Sequence, residues 1–77
     1  MNKDRRLKIE ELKPKLDSIR EAIEQIRDDE QDAYDNMPES FQNGERGQKA
    51  EEVIDSLENA LSQVEEAISS LENAVGL

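Results

Sequence analysis

The stretch AEEVIDSLENALSQVEEAISSLENAV, residues 50–75, decides the fold. Its apolar residues fall at Ala50, Ile54, Leu57, Leu61, Val64, Ile68, Leu71 and Val75, at intervals that alternate between 4 and 3. An α-helix turns by about 100° per residue, so this spacing gathers them into one seam, and a seven-residue repeat held this long implies a left-handed supercoil around a partner helix. The segment also repeats itself, as VIDSLEN at 53–59, ALSQVEE at 60–66 and AISSLEN at 67–73.

The partner helix lies in the same chain. Ile9, Leu12, Leu16, Ile19, Ile23 and Ile26 alternate intervals of 3 and 4, and the series continues through Glu30, Ala33 and Met37. Glu30 is the one charged residue on that seam and predicts a local defect. Pro14 lacks an N–H and crowds the carbonyl four residues back, which predicts either a kink near residues 10 to 14 or a frayed or separate turn over Met1 to Lys13, and the apolar register unbroken across it favours the kink. Pro38 disfavours a helical Met37 and stops the first helix. Asn36 with Glu39 three residues later has the form of a capping pair for a short turn, and Asn43-Gly44 is turn chemistry. The sequence thus predicts an all-α single domain over residues 1–77: a first helix over about 3–35, a loop over about 36–46 and a second helix over about 47–75, beginning around Glu45 to Gln48 and ended by Gly76.

So short a loop favours an antiparallel two-helix coiled-coil hairpin. The charges test this independently. Glu51, Glu58, Glu65 and Glu72 flank the second seam at intervals of seven, and Lys13, Arg20, Arg27 and Tyr34 flank the first in the same way. Folding about the loop pairs Arg27 with Glu58, Arg20 with Glu65 and Lys13 with Glu72, each pair adding to 85, while the seam layers from Leu12–Val75 to Ile26–Leu61 add to 87. Each exposed pair contributes only ~0.2–1 kcal/mol, so its role is choice of orientation.

The opposite flank carries Val53, Ala60, Ala67 and Ala74, with Lys15, Ala22, Asp29 and Asn36 facing them. Small residues there serve helix propensity and close packing within the hairpin, or else a groove for another helix. Ala22, Val53, Ala60, Ala67 and Ala74 are the candidate self-association residues. A scaffold this small balances near zero stability, and a lone hairpin leaves its seam partly wet. The expected remedy is a homodimer forming a four-helix bundle.

Composition excludes more than it selects. Of 77 residues, 34% are hydrophobic and 39% charged; twenty Asp and Glu against ten Lys and Arg leave a formal charge of −10. Such a balance is a signature of disorder, which the seven-residue repeat contradicts. The absence of Cys, His and Trp removes disulfides, Cys/His zinc sites and Cys- or His-based nucleophiles. No uncharged stretch is long enough to span a bilayer, and no apolar block near Met1 has the form of a signal peptide. The polar face is acidic, which argues against a membrane-surface helix.

No constellation in the chain carries catalysis. Asp28, Glu30, Asp32 and Glu39 occupy positions 1, 3, 5 and 12 of a notional calcium loop, but Ala33 stands where glycine is needed and Pro38 intrudes. Carboxylates are plentiful, yet acid–base work needs them in a shaped, dry pocket that a hairpin does not offer. Gly44-Glu-Arg-Gly47 lacks the Lys-Ser/Thr of a phosphate loop. No catalytic, metal or cofactor-binding residues are therefore expected, no cofactor, and no enzyme. Lys3, Arg5, Arg6 and Lys8 form a weak basic cluster, outweighed for direct nucleic-acid binding by the acidic whole.

The hairpin tip is the other candidate surface. Residues 28–45 hold seven acids and no base. Tyr34 and Phe41 are the only aromatics in the chain, and with Met37 (opposite Ala50) they are either a plug for the hairpin end or an anchor for a partner. The candidate partner-contact residues are Asp28, Asp29, Asp32, Tyr34, Asp35, Glu39, Phe41 and Glu45. An acidic tip of this kind also suits a nucleic-acid mimic that blocks a basic cleft of a DNA- or RNA-binding protein.

The stretch DDEQDAYDNMPESFQ, residues 28–42, followed by AISSLE-type repeats, resembles small acidic helical proteins of phages and prophages of Gram-positive bacteria. The distinctive core is NMPESFQ, residues 36–42. The resemblance implies a phage or prophage origin and a cytoplasmic setting in a bacterial host, and assigns no functional residue. The expectation is a non-enzymatic interaction module that dimerises and binds an unidentified protein, as a modulator of a host protein. The alternatives are the acidic inhibitor and a structural or assembly part of a phage particle.

Overall fold

The computed structural model describes residues 1–77 as three helices: α1 (Lys3–Asp35), α2 (Glu39–Gln42) and α3 (Glu45–Gly76). The two long helices run antiparallel against each other in a rod 58 Å long and 15 by 12 Å across. This is the expected hairpin, with one short helical turn, α2, inside the connection.

α1 begins at Asn2, whose side-chain oxygen accepts a hydrogen bond from the Arg5 N–H at 2.9 Å and so satisfies one of the free donors of the first turn. It then passes through Pro14 and Glu30 without interruption. A helix of 33 residues spans about 50 Å, close to the full length of the rod. Pro14 removes one hydrogen bond to the Glu10 carbonyl but does not divide the helix, and Glu30 does not interrupt it. The apolar register on either side of both residues holds the helix together.

The turn is built from backbone bonds. Asn36 closes α1, its N–H donating to the Asp32 carbonyl at 3.0 Å, and Pro38 rather than Asn36 precedes α2. The expected Asn36–Glu39 capping pair is therefore corrected: with its ring fixing φ, Pro38 offers its carbonyl to the N–H groups of Phe41 at 2.8 Å and Gln42 at 3.0 Å. Gln42 reaches back with its side-chain amide to the Tyr34 carbonyl at 2.9 Å, covering a carbonyl that the end of α1 exposes. Gly44 caps α3 in an extended conformation. Gly47 is buried because α3 crosses the end of α2 there; a Cβ on it would stand 1.9 Å from the Gln42 carbonyl oxygen. Glycine is needed at this point for close approach, since no residue of the chain has positive φ.

The core is thin and lies on α3. Ala50, Ile54 and Leu61 are 3%, 6% and 5% exposed; α1 contributes no buried residue. Leu57, Val64, Ile68, Leu71 and Val75 are half-buried.

On α1 the seam differs from the expected one. The half-buried residues are Ile9, Lys13, Leu16, Asp17, Arg20, Ile23, Glu24, Arg27, Glu30, Gln31, Tyr34 and Met37. Leu12, Ile19 and Ile26 are instead 44%, 49% and 54% exposed, and Ala33 is exposed too. The helix is turned so that its half-buried face centres on the Lys13, Arg20 and Arg27 row rather than between the Leu16 and Leu12 rows. The rotation lets the methylene stems of Lys13, Arg20 and Arg27 lie along α3 while their charged ends reach water.

Replacing Leu61 with Asp places an uncompensated charge in the buried seam and is expected to cost on the order of 3 kcal/mol, read as loss of the 222 nm circular dichroism signal. Gly47→Ala is expected to lower stability by about 1–3 kcal/mol in urea titrations. Gly76→Ala, with nothing within 4 Å of the added carbon, should leave the midpoint unchanged or raise it.

Candidate interaction surface

Two contacts between the long helices fix which side of the hairpin is which. Lys13 Nζ stands 3.5 Å from Glu72 Oε1 near the open end, and the Tyr34 hydroxyl donates to Glu51 Oε1 at 2.7 Å near the tip. Both pairs add to 85, so the offset expected from the charged flanks holds near both ends, while Leu12, Ile19 and Ile26, expected in layers with Val75, Ile68 and Leu61, are exposed instead. The other two expected ion pairs do not form. Arg20 turns to Asp17 at 3.8 Å and Glu24 at 3.9 Å on its own helix, with its Nε buried and without a hydrogen-bond partner, and Arg27 turns to Asp28 at 3.1 Å. With α1 rotated, acids of α1 lie nearer to these guanidinium groups than Glu65 and Glu58.

These two contacts place the glutamate flank of α3 and the Lys13-to-Tyr34 row of α1 on one side of the rod. Going around each helix from that side, across the seam, leads to the other side. On α1 it carries Leu12, Ile19 and Ile26, with Lys15, Ala22 and Asp29 beyond them. On α3 it carries the half-buried Leu57, Val64 and Leu71, with Val53, Ala60, Ala67 and Ala74 beyond them. Val53 is 43% exposed. Ala22 and Ala67 are exposed, while Ala60 and Ala74 are half-buried. All the candidate self-association residues thus share one side.

α3 is also divided by charge. From Ala50 to Val75, every charged residue sits at one of three positions of the seven-residue repeat, those of Glu51, Glu52 and Asp55. The other four positions are occupied only by Ala, Val, Ile, Leu, Ser and Gln. That uncharged arc covers roughly half the circumference, wider than a single neighbouring helix covers in a two-stranded seam.

The tip residues do not converge. Asp28, Asp32 and Asp35 run along the outside of α1, Asp29 lies toward the uncharged side, and Glu39 and Glu45 stand on α2 and α3. Asp29 and Asp35 accept side-chain hydrogen bonds from Gln25 and Gln31, each at 3.0 Å, and Glu45 lies 3.5 Å from Lys49 Nζ. No group of three or more carboxylates is placed to hold a metal ion. Tyr34 and Met37 turn inward, half-buried, whereas Phe41 is 46% exposed with the Arg46 guanidinium 5.1 Å above its ring. The aromatics therefore divide: Tyr34 clasps the helices and Phe41 faces outward. The surface depressions are open; one is lined by Ser62, Glu65, Glu66, Ser69 and Ser70, another by Tyr34 and Glu51 with their neighbours. No helix is long and apolar enough to cross a membrane.

Comparisons of the chain with protein-family models, with curated proteins and with solved structures found no match.

Sequence reasoning missed three features. The exposure of Leu12, Ile19 and Ile26 had no signal of its own, because either of two adjacent rows of α1 completes a 3–4 pattern. The place of Gly47 did have one: it extends the series 54, 61, 68 and 75 backward by seven and is a seam position without a side chain. The hydrogen-bonding role of Tyr34 was signalled by its place at the end of the Lys13, Arg20, Arg27 row.

The hydrogen bond to Glu51 raises the Tyr34 hydroxyl above its ordinary pKa, with desolvation and the charges of Glu51 and Asp35 adding in the same direction. A raised value means that the folded chain holds this proton more tightly than the unfolded chain. The stabilisation is therefore complete below the ordinary tyrosine pKa and is lost as pH rises through the raised one. Tyr34 is the sole tyrosine, so phenolate absorbance reports it alone; its midpoint should lie above that of free tyrosine, and Glu51→Gln should bring it down.

Proposed function

We propose that the protein is a non-enzymatic helical interaction module that works by laying its uncharged side against another helical surface. The observation that carries this reading is the row Leu12, Ile19 and Ile26, about half exposed at each position, on the same side as the charge-free arc of α3. In a chain with 39% charged residues, apolar surface concentrated on one side is what a binding face requires. The absence of histidine and cysteine and the open, shallow depressions support a role in binding rather than turnover. In the phage setting that the NMPESFQ resemblance implies, the module acts on a host protein and alters that protein's activity.

The test is capture by the immobilised chain at low and high salt, compared with an Ile26→Asp chain. Binding that persists at high salt and is lost in Ile26→Asp is the expected result, since burial of apolar surface is not screened. Binding that vanishes with salt, survives Ile26→Asp and is lost when Asp32, Asp35 and Glu39 are neutralised would overturn it in favour of the acidic mimic.

A further inference from the structure

We infer that the uncharged side of the hairpin is covered by a second copy of this chain, reversed end for end, so that α1 packs on α1 and α3 on α3 in a four-helix bundle. The inference rests on the reading of that side as a binding face and names its occupant and orientation.

Three observations select a second copy. First, the monomer is under-buried. Only three apolar residues fall in its core and none of them lies on α1, whereas a chain of this length ordinarily needs further burial or a staple, and it has no cysteine. Second, the size fits. The broad side of the rod measures 58 by 15 Å, on the order of the 800 Å² that each partner gives to a stable interface. Third, the charges are self-complementary in one orientation only.

With both helices counted, the open half of the hairpin, residues 1–20 and 62–77, holds seven bases against seven acids, with its bases concentrated at the start of α1, and the tip half, residues 21–61, holds three bases against thirteen acids. Two hairpins stacked with their tips together would crowd two acidic tips against each other. Reversing one of them brings the tip of each, with Asp32, Asp35 and Glu39, to the Lys3, Arg5, Arg6 and Lys8 end of the other. This neutralises carboxylates that crowd the C-terminal end of α1, where the helix dipole is least favourable to them.

The reversal also specifies neighbours. A two-fold axis across the rod places each helix antiparallel to its own copy. On α1 the exposed row is centred on Ile19 and its flank on Ala22, so that Lys15 of one copy comes beside Asp29 of the other. On α3 the facing flank is Val53, Ala60, Ala67 and Ala74, small enough for the two helices to approach closely.

The experiment combines mass and orientation. Light scattering over a concentration series should give twice the 8.8 kDa chain mass. Ile19→Asp, at a half-exposed position outside the hairpin seam, should raise the dissociation constant by about two orders of magnitude. Orientation is read on a spin label attached through Ser40→Cys, at the exposed tip of a chain without other cysteines. In the reversed dimer the two labels stand apart by about the 58 Å length of the rod; in a dimer with tips together they are close neighbours. A monomeric wild type, a dimer indifferent to Ile19→Asp, or labels close together would each overturn the inference. A monomer that still captures a foreign protein through Ile26 overturns the dimer alone, whereas a monomer that captures nothing overturns the interaction reading with it.

Discussion

The structure depends on how one helix covers another. Ile54 and Leu61 of α3 are the only large side chains that leave solvent almost completely, and they do so because α1 lies over them. A helix presents a curved surface, and a single neighbour shields only the strip directly beneath it. α3 carries an uncharged arc wider than that strip, and α1 carries two adjacent rows that each match its spacing. Only one of those rows can occupy the seam. The chain places the Lys13, Arg20, Arg27 and Tyr34 row there beside Leu16 and Ile23, and the Leu12, Ile19 and Ile26 row is turned outward.

That choice follows from what each row can reach. Long cationic side chains bury their stems and keep their ends wet, so little apolar contact is lost when they border the seam. They also supply the cross-links that hold the register, from Lys13 to Glu72 and, through the row's last member, from Tyr34 to Glu51. Between them, Arg20 and Arg27 turn to acids of their own helix, with Arg20 Nε left without a hydrogen-bond partner, and the register does not need them. A register held near its two ends and packed between them has little freedom to slide, since a shift by a single residue would carry Ile54 and Leu61 out of the seam.

The tip is held differently. Its geometry comes from the approach of α3 to the end of α2 at Gly47, from the Pro38 carbonyl that starts α2, and from the Gln42 side chain that reaches the Tyr34 carbonyl. These are steric and backbone constraints that require no apolar core. They leave Phe41 outside under Arg46 and leave the acids of α1 spread around the helix rather than gathered in a site. The tip is thus a turn held by backbone and steric contacts and rich in acids, and the long uncharged side is the surface with apolar area to bury.

The sequence by itself determined the two long helices to within two residues, their antiparallel pairing and the offset of their charged flanks, but not the short α2, which falls inside the expected loop. Each of these follows from local rules: the 3–4 apolar spacing, proline and glycine at the turn, and the matched intervals of seven along both flanks. It did not determine which row of α1 faces α3, because Leu12, Ile19 and Ile26 fit the seam pattern as well as Lys13, Arg20 and Arg27 fit its border. Nor did it show that Pro14 and Glu30 leave α1 unbroken, that Asn36 ends one helix instead of starting another, or that Gly47 is required. Those depend on how much surface one helix can cover and on where two backbones meet, and only the packed chain decides either.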